Sequence, residues 1–463
     1  MSAIQYLKKF QKYSLVVILL YGTIAFIYKS SKGFYKHPER ILKYDMTGYY
    51  SYLRLWFIDG DYRFNFYNSK PLQSFLVATP NSKNETVQIN KYSVGPAMLA
   101  SPFFLIGHLE AAYSTKNTTE LASIYLFWVA IGIILYAILA LLLLRSVLLQ
   151  YYEDKVVAMT LLLFAFGTNW FHYTIYDYMM SHSYSLFLFS LALFLSFRWY
   201  KTAQWQYMSS LGLTCGLIAV TRLPNMVFFI VPAFIGVYNK VTFLERIQFF
   251  IQHWRAILLG ILSFMLAFVP QIYYWYKATG FYWLNSYAAN QERFYWFEPK
   301  IWEVLFSYRT GWFVYTPLAV LGWFGLYFLY KQQKQFFPII TLYLLINLYV
   351  VSSWWCWWYG GSFGMRPLVE TYAVLAFPTA ALLHYCSAFR VKKHILNTII
   401  ILLIGLNQFQ SHQFQYLMIH WDAMSKAAYW NIFGVAPPVS NAFKEAHYKL
   451  LVPPSSEELD RTK

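Results

Sequence analysis

Apolar runs long enough to cross a bilayer recur along this chain, and they decide its fold class before any single residue is considered. They cover residues 13–28, 121–144, 156–171, 184–197, 257–274, 312–329, 336–351, 368–383 and 395–406. A hydrocarbon core of ~30 Å takes about 20 apolar residues as a helix. With no water at that depth, only helices or closed barrels satisfy every backbone group. The runs are too long and continuous for barrel strands. The expectation is an all-α, polytopic helical membrane protein. Composition agrees: only 12% of the 463 residues are charged, where a soluble domain carries about 25%.

The charges that remain are unbalanced, with 37 Lys and Arg against 20 Asp and Glu. In a soluble protein that excess points to nucleic acid. Here it reads as basic residues flanking spans and touching anionic lipid, so membrane lipids are expected partners and nucleic acid is not. Lys8, Lys9 and Lys12 precede the first run, which has no small-residue cleavage site and is kept as a helix. With that end inside, the loops carrying Arg145 and Lys155, Arg198 and Lys201, Lys240, Arg246 and Arg255, Lys331 and Lys334, and Arg390, Lys392 and Lys393 also fall inside. This requires that 94–112 not cross and that 207–220 and 226–237 cross separately. About eleven spans result. A long first outer loop, 30–118, contains a Pro-bearing apolar stretch, 92–108, that suits a juxtamembrane helix. Residues 1–410 form the transmembrane unit and 411–463 an outer tail, whose end, 455–463, reads as a disordered polar tip. Cys215, Cys356 and Cys386 have neither disulfide nor zinc spacing.

Chemistry-bearing residues gather on the outer side. Asp45 lies among Tyr44, Tyr49, Tyr50 and Tyr52 in KYDMTGYYSY; a loop acid is commonly a surface charge, but one desolvated at a membrane edge is a better base. Asp177 and His182 share HYTIYDYMMSHSYS, where Ser181 or Ser183 also suits a helix cap. Asp and His there can act as acid and base, as anchors or as metal ligands. Arg222, Arg309 and Arg366 end helices in TRLPN, SYRTGWFVYTP and SFGMRPLVE. Boundary arginines often only snorkel; three on one face suit a phosphate through paired hydrogen bonds. Trp354, Trp355, Trp357, Trp358 and Tyr359 run into Gly360 and Gly361. An aromatic belt explains part of that run, and stacking on sugar rings or prenyl chains explains it more fully.

Taken in order, Asp45, the KYSVGPAMLASPFFLIGH segment, Asp177 with His182, TRLPN, SYRTGWFVYTP and WWYGGSFGMRP give a chain that resembles the GT-C superfamily of polyprenyl-phosphate-dependent glycosyltransferases. Within it, the likeness is to the bacterial subgroup of lipopolysaccharide-core and protein O-mannosyltransferase-like enzymes, over roughly residues 10–410. The resemblance implies an inverting transfer from a polyprenyl-phosphate-linked sugar to an envelope glycan, lipid or protein acceptor, at the outer face of a bacterial inner membrane. Asp45 would be the base or orient the acceptor, assisted by Asp177 and His182. Arg222, Arg309 and Arg366 would hold the carrier phosphate. Tyr49, Tyr50, Trp357, Trp358 and Tyr359 would line the sugar and lipid path. A divalent metal is the one cofactor implied, with Asp45, Asp177 and His182 as its candidate ligands. DMTGYY has no second acid beside Asp45, which departs from the better-known pattern. The competing classes are a lipid or glycolipid transporter, which predicts ionisable groups at mid-depth, and a non-catalytic membrane scaffold.

Overall fold

The computed structural model describes residues 11–64, 75–113, 118–287 and 291–460. Lys8 and Lys9, parts of the first outer loop (65–74 and 114–117) and the last three residues lie outside them. The principal helices are α1 (Tyr13–Lys32), α2 (Tyr44–Arg54), α3 (Gly95–Ala112), α4 (Thr118–Leu148), α5 (Asp154–Gly167), α6 (Ser181–Thr202), α7 (Trp205–Thr221), α8 (Trp254–Thr279), α9 (Ala319–Gln332), α10 (Phe337–Ser352), α11 (Tyr372–Ser387) and α12 (Arg390–Gln415).

Three of these are long and apolar enough to cross a membrane: Tyr13–Ser31, Ala122–Leu148 and Trp254–Thr279. α8 leaves Leu258, Leu259, Leu262, Met265 and Leu266 exposed. A contiguous apolar face of that kind suits lipid and not water. α11 lies at the opposite extreme, with every residue from Tyr372 to Leu383 buried at the centre of the bundle.

Other runs form shorter pieces. The run 312–329 is cut into Trp312–Tyr315 and α9, because Pro317 has no N–H to give the ladder; the Asn407 amide donates to the Tyr315 carbonyl there at 2.7 Å. Where the sequence suggests a span at 226–237, the chain forms a 3-10 turn, Leu223–Phe229, followed by the short helix Ile230–Phe234. Even so, it travels the length of α6. Arg222 meets His182 at one end, and the Tyr200 hydroxyl meets the Pro232 and Ala233 carbonyls at the other. From residue 182 to residue 200 a helix rises about 27 Å, close to the ~30 Å of a hydrocarbon core.

The basic loops share one end. Arg145 donates to Ser14 Oγ and to the Gln11 carbonyl, Lys155 lies over the Tyr13 ring, Tyr151 packs on Phe336 and Tyr152 on His384. The chain leaves α1 at the other end, and α2 follows there.

Two expectations are corrected. The chain is mostly helical rather than wholly so: β1 (Leu76–Pro80) and β2 (Thr86–Asn90) pair antiparallel, Leu76 opposite Asn90. Their inward residues alternate, and Asn81 Oδ1 accepts from the Lys83 and Glu85 N–H groups to close the turn. The tail end is also ordered at Ser456–Asp460 (α13). Ser455 Oγ accepts from the Glu458 N–H while the Glu458 carboxylate accepts from the Ser455 N–H, a reciprocal cap that starts this helix.

α7 and α8 pack closely because Gly212, Gly216 and Gly260 carry no Cβ. A Cβ on Gly212 would lie 1.9 Å from the Gly260 carbonyl oxygen. Small residues four apart are a recurrent device for bringing membrane helices together.

Candidate functional site

The site forms where the end of α2 nearest the bundle meets β2, α6, α7 and the 353–370 segment. Asp45 stands in the first turn of α2. Its Oδ2 lies 3.0 Å from Arg366 Nη2, and both side chains are largely enclosed. The Tyr92 hydroxyl donates to Oδ1. Burial raises the Asp45 carboxyl, but Arg366, Tyr92 and Lys91 together outweigh it and hold the group below its ordinary value.

Tyr92 is locked in turn. Its backbone N–H donates to Asn90 Oδ1 at 3.0 Å, and its carbonyl accepts from the Tyr52 hydroxyl at 2.7 Å. The Asn90 amide donates to the Gly48 carbonyl and to Ser51 Oγ. Gly48 admits the Tyr92 ring, which a Cβ would meet at 2.4 Å. Gly95 lets the next turn rest on the Thr221 backbone, which carries Arg222 into the same region.

A second ion pair stands beside the first. Arg222 Nη1 is 3.2 Å from Glu370 Oε1, and Glu370 is 1% exposed. His182 Nδ1 lies 3.1 Å from Glu370 Oε2 and 2.8 Å from Arg222 Nη1. That nitrogen cannot donate to the carboxylate and accept from the guanidinium at once, so the imidazole tautomer selects between the two contacts. Lys91 and Glu292 form a third pair at 2.8 Å, with Lys91 over the Tyr92 and Tyr287 rings. Tyr49, near Ser181, lies in the field of Asp45, Arg222 and Arg366. Tyr359, held by its hydroxyl on the Val351 carbonyl, lies in that of Arg222, Arg366 and Glu370.

The remaining candidates lie around this centre. Tyr50, about 100° further round α2 than Tyr49, packs edge-on against Phe104 instead. Asp177 accepts from His172 Nε2 at 3.1 Å, and His172 Nδ1 meets Ser411 Oγ. Tyr173, between the two histidine rings, accepts from the Phe363 N–H and donates to the Phe363 carbonyl. Arg309 has partners of its own. It pairs with Glu458 of α13 at 3.0 Å and lies over the buried Trp357 and Trp358 rings. Trp358 donates to Asp422 at 3.1 Å, whose carboxylate fits against Gly360, where a Cβ would be 2.6 Å from Oδ1. Burial raises the Asp422 carboxyl, partly offset by Gly361, Trp358, Arg309 and Arg366.

Asp45, Asp177 and His182 therefore have three different partners: Arg366, His172 and the Glu370–Arg222 pair. Among the described residues no group of three or more His, Cys, Asp or Glu is disposed to hold a metal ion. The implied metal does not fit these residues as they stand.

Lys91, Tyr92, Tyr287, Glu292, Glu370 and Asp422 join the site without having been singled out in the sequence. Glu370 had a visible signal, an acid within the apolar run 368–383, where an ionisable residue is expensive. Tyr92 had none beyond its proline-bearing neighbourhood.

No family model matches the chain, and no curated protein does. In three dimensions it is similar to the archaeal oligosaccharyltransferase AglB from Archaeoglobus fulgidus, solved with an inhibitory peptide and a dolichol-phosphate. The TM-score is 0.46 at 14% identity, over 97% of this chain and 60% of that one. The apo oligosaccharyltransferase of the same organism gives 0.43 at 14% identity, over 95% and 60%. Its complex with zinc and sulfate gives 0.45 at 14%, over 95% and 58%. This chain thus spans about three-fifths of the length of those it resembles.

Proposed function

We propose that this chain is an integral-membrane inverting glycosyltransferase, moving a sugar from a polyprenyl-phosphate carrier to a cell-envelope glycan, lipid or protein acceptor. The observation that carries the reading is Asp45, an enclosed carboxylate held ionised between Arg366 and Tyr92 with Arg222 nearby. An acid beside guanidinium groups at a bundle end suits proton removal next to a departing phosphate.

Each site cation already has an anion: Arg366 with Asp45, Arg222 with Glu370, and Lys91 with Glu292. A donor phosphate therefore enters by exchange. When its oxygens take Arg366, Asp45 loses the interaction that most lowers its carboxyl, and burial then raises it. The base strengthens as the donor binds. The acceptor hydroxyl attacks the anomeric carbon, the carbon–oxygen bond to the phosphate breaks, and Asp45 takes the hydroxyl proton. One displacement inverts the centre. Tyr49 and Tyr359 border the site, and Trp357 and Trp358 back Arg309 on the carrier side. No step is assigned to a metal, because its candidate ligands are committed elsewhere.

An eleven-span arrangement in a bacterial inner membrane, with the site outward, belongs to the same reading. The gathering of the basic loops at the opposite end supports it.

The test is the purified enzyme, reconstituted with a panel of polyprenyl-phosphate sugars and an extract of envelope glycolipids. Release of polyprenyl phosphate that needs both the extract and Asp45 supports the reading. No release from any donor by folded protein rejects it.

A further inference from the structure

A basic cavity lies away from the site, at the outer end of α8. It has a volume of about 330 Å³ and is lined by Arg63, the β1–β2 turn with Ser82 and Lys83, and Tyr276, Lys277 and Gly280. Among the described residues, none of Arg63, Lys83 and Lys277 forms an ion pair with a carboxylate. The acids closest in sequence are used otherwise. Asp61 accepts from the Arg63 backbone N–H, Glu85 accepts from the Asn81 amide, and neither lines the cavity.

A helix C-terminus ordinarily repels an anion through its free carbonyls. Here the hairpin turn covers part of that end: the Ser82 N–H donates to the Thr279 carbonyl at 2.8 Å. The contact depends on Gly280, at φ +81°, where a Cβ would lie 2.2 Å from Ser82 Oγ. The cations face the cavity with those carbonyls partly screened.

Its position indicates the occupant. α8 is among the helices able to cross a membrane and is little buried along its length. Just past its end Phe281, Tyr282 and Trp283 are exposed, with Tyr276 stacked on Tyr282. Exposed aromatics at a span end mark headgroup depth, where three cations with no carboxylate partner among the described residues meet phosphate before anything else. We infer that this cavity binds the phosphate-bearing headgroup of an anionic lipid. α8 also reaches the active region, since the Tyr274 hydroxyl accepts from the Asn90 N–H and Gln271 accepts from the Val94 N–H. A lipid held at its end steadies the helix against which the Tyr92 segment rests. The inference does not depend on the catalytic reading.

The experiment uses the full-length protein in neutral detergent, scoring retained lipid by native mass spectrometry. The probes are phosphatidylglycerol, phosphatidylcholine and inorganic phosphate. Wild type is expected to retain phosphatidylglycerol in preference to phosphatidylcholine. R63Q/K83Q/K277Q is expected to lose that preference by about fivefold for each charge removed, and R63K/K83R/K277R to keep it. Preference unaffected by millimolar inorganic phosphate identifies a lipid headgroup. Displacement by phosphate assigns the same cations to a free phosphate ligand and overturns the lipid occupant. Equal retention by wild type and the glutamine variant overturns the site itself.

Discussion

Arg366 Nη2 lies 3.0 Å from Asp45 Oδ2, joining the first turn of α2 to a segment more than three hundred residues later. The pair ties these two segments together, and on the proposed reading a donor phosphate has to open it. Asp45→Asn keeps the shape and a hydrogen-bonding partner for Tyr92 but removes the base. Turnover is expected to fall by about 10²–10⁴-fold, the usual contribution of a positioned base, with the protein still folded and membrane-inserted but at a lower Tm, because Arg366 loses its counter-charge. Polyprenyl phosphate release by D45N near the wild-type rate would reject Asp45 as the base.

The same pair has a pH signature. Burial raises the Asp45 carboxyl, and Arg366 leads the groups that bring it below its ordinary value. A carboxylate with a depressed folded-state pKa contributes stability that is complete above its unfolded value, about 3.9. That contribution disappears as pH falls through the folded value. The Tm difference between wild type and D45N should be flat from pH 7 down to about 4 and shrink below that. Replacing Arg366 by Met leaves burial dominant, so in R366M the pH dependence attributable to Asp45 should move upward. A difference that grows on acidification contradicts the assignment.

Glu370 is 1% exposed and depends on Arg222 and His182 for its partners. Arg222→Met strands most of that charge, and breaking a buried pair costs about 3–5 kcal/mol. Because His182 Nδ1 can then donate to the carboxylate, the loss should lie near the lower figure. Adding Glu370→Gln removes the stranded charge, so R222M/E370Q should be less destabilised than the sum of the single variants, by about 1–3 kcal/mol. Denaturant unfolding in detergent measures the cycle, and strict additivity would show that the two groups do not act as a pair.

How much of this could be read beforehand follows from distance along the chain. The apolar runs made a helical bundle legible, and the basic loops made its two ends legible, because both signals are local. Arg222, Arg366, Asp45 and His182 were legible as chemistry near helix ends. Their pairing was not, since Asp45 finds Arg366 and His182 finds Glu370 only through the bundle. Tyr49 and Tyr50 looked equivalent until the helix turned one toward Ser181 and the other toward Phe104. Arg309 matches its fellow arginines in setting, and its partners, Glu458 and two tryptophans, are likewise distant in sequence. The Ser455–Glu458 cap was a readable signature, obscured by the polar composition around it.

Gly212 offers a test of the packing that underlies the site. Its missing Cβ lets α7 approach the Gly260 backbone, and the end of α7 delivers Arg222. Backbone on the receiving side cannot rotate away as a side chain can, so Gly212→Leu must separate the helices. Overpacking of this kind costs about 1–3 kcal/mol. The neighbouring Leu213 is 38% exposed, and Leu213→Ala on that outward face should change stability by no more than about 0.5 kcal/mol. Thermal unfolding of the two variants side by side makes the comparison. A lower Tm for G212L with L213A unchanged attributes the loss to the helix contact, and an unchanged G212L would show that α7 and α8 are not held by close backbone approach.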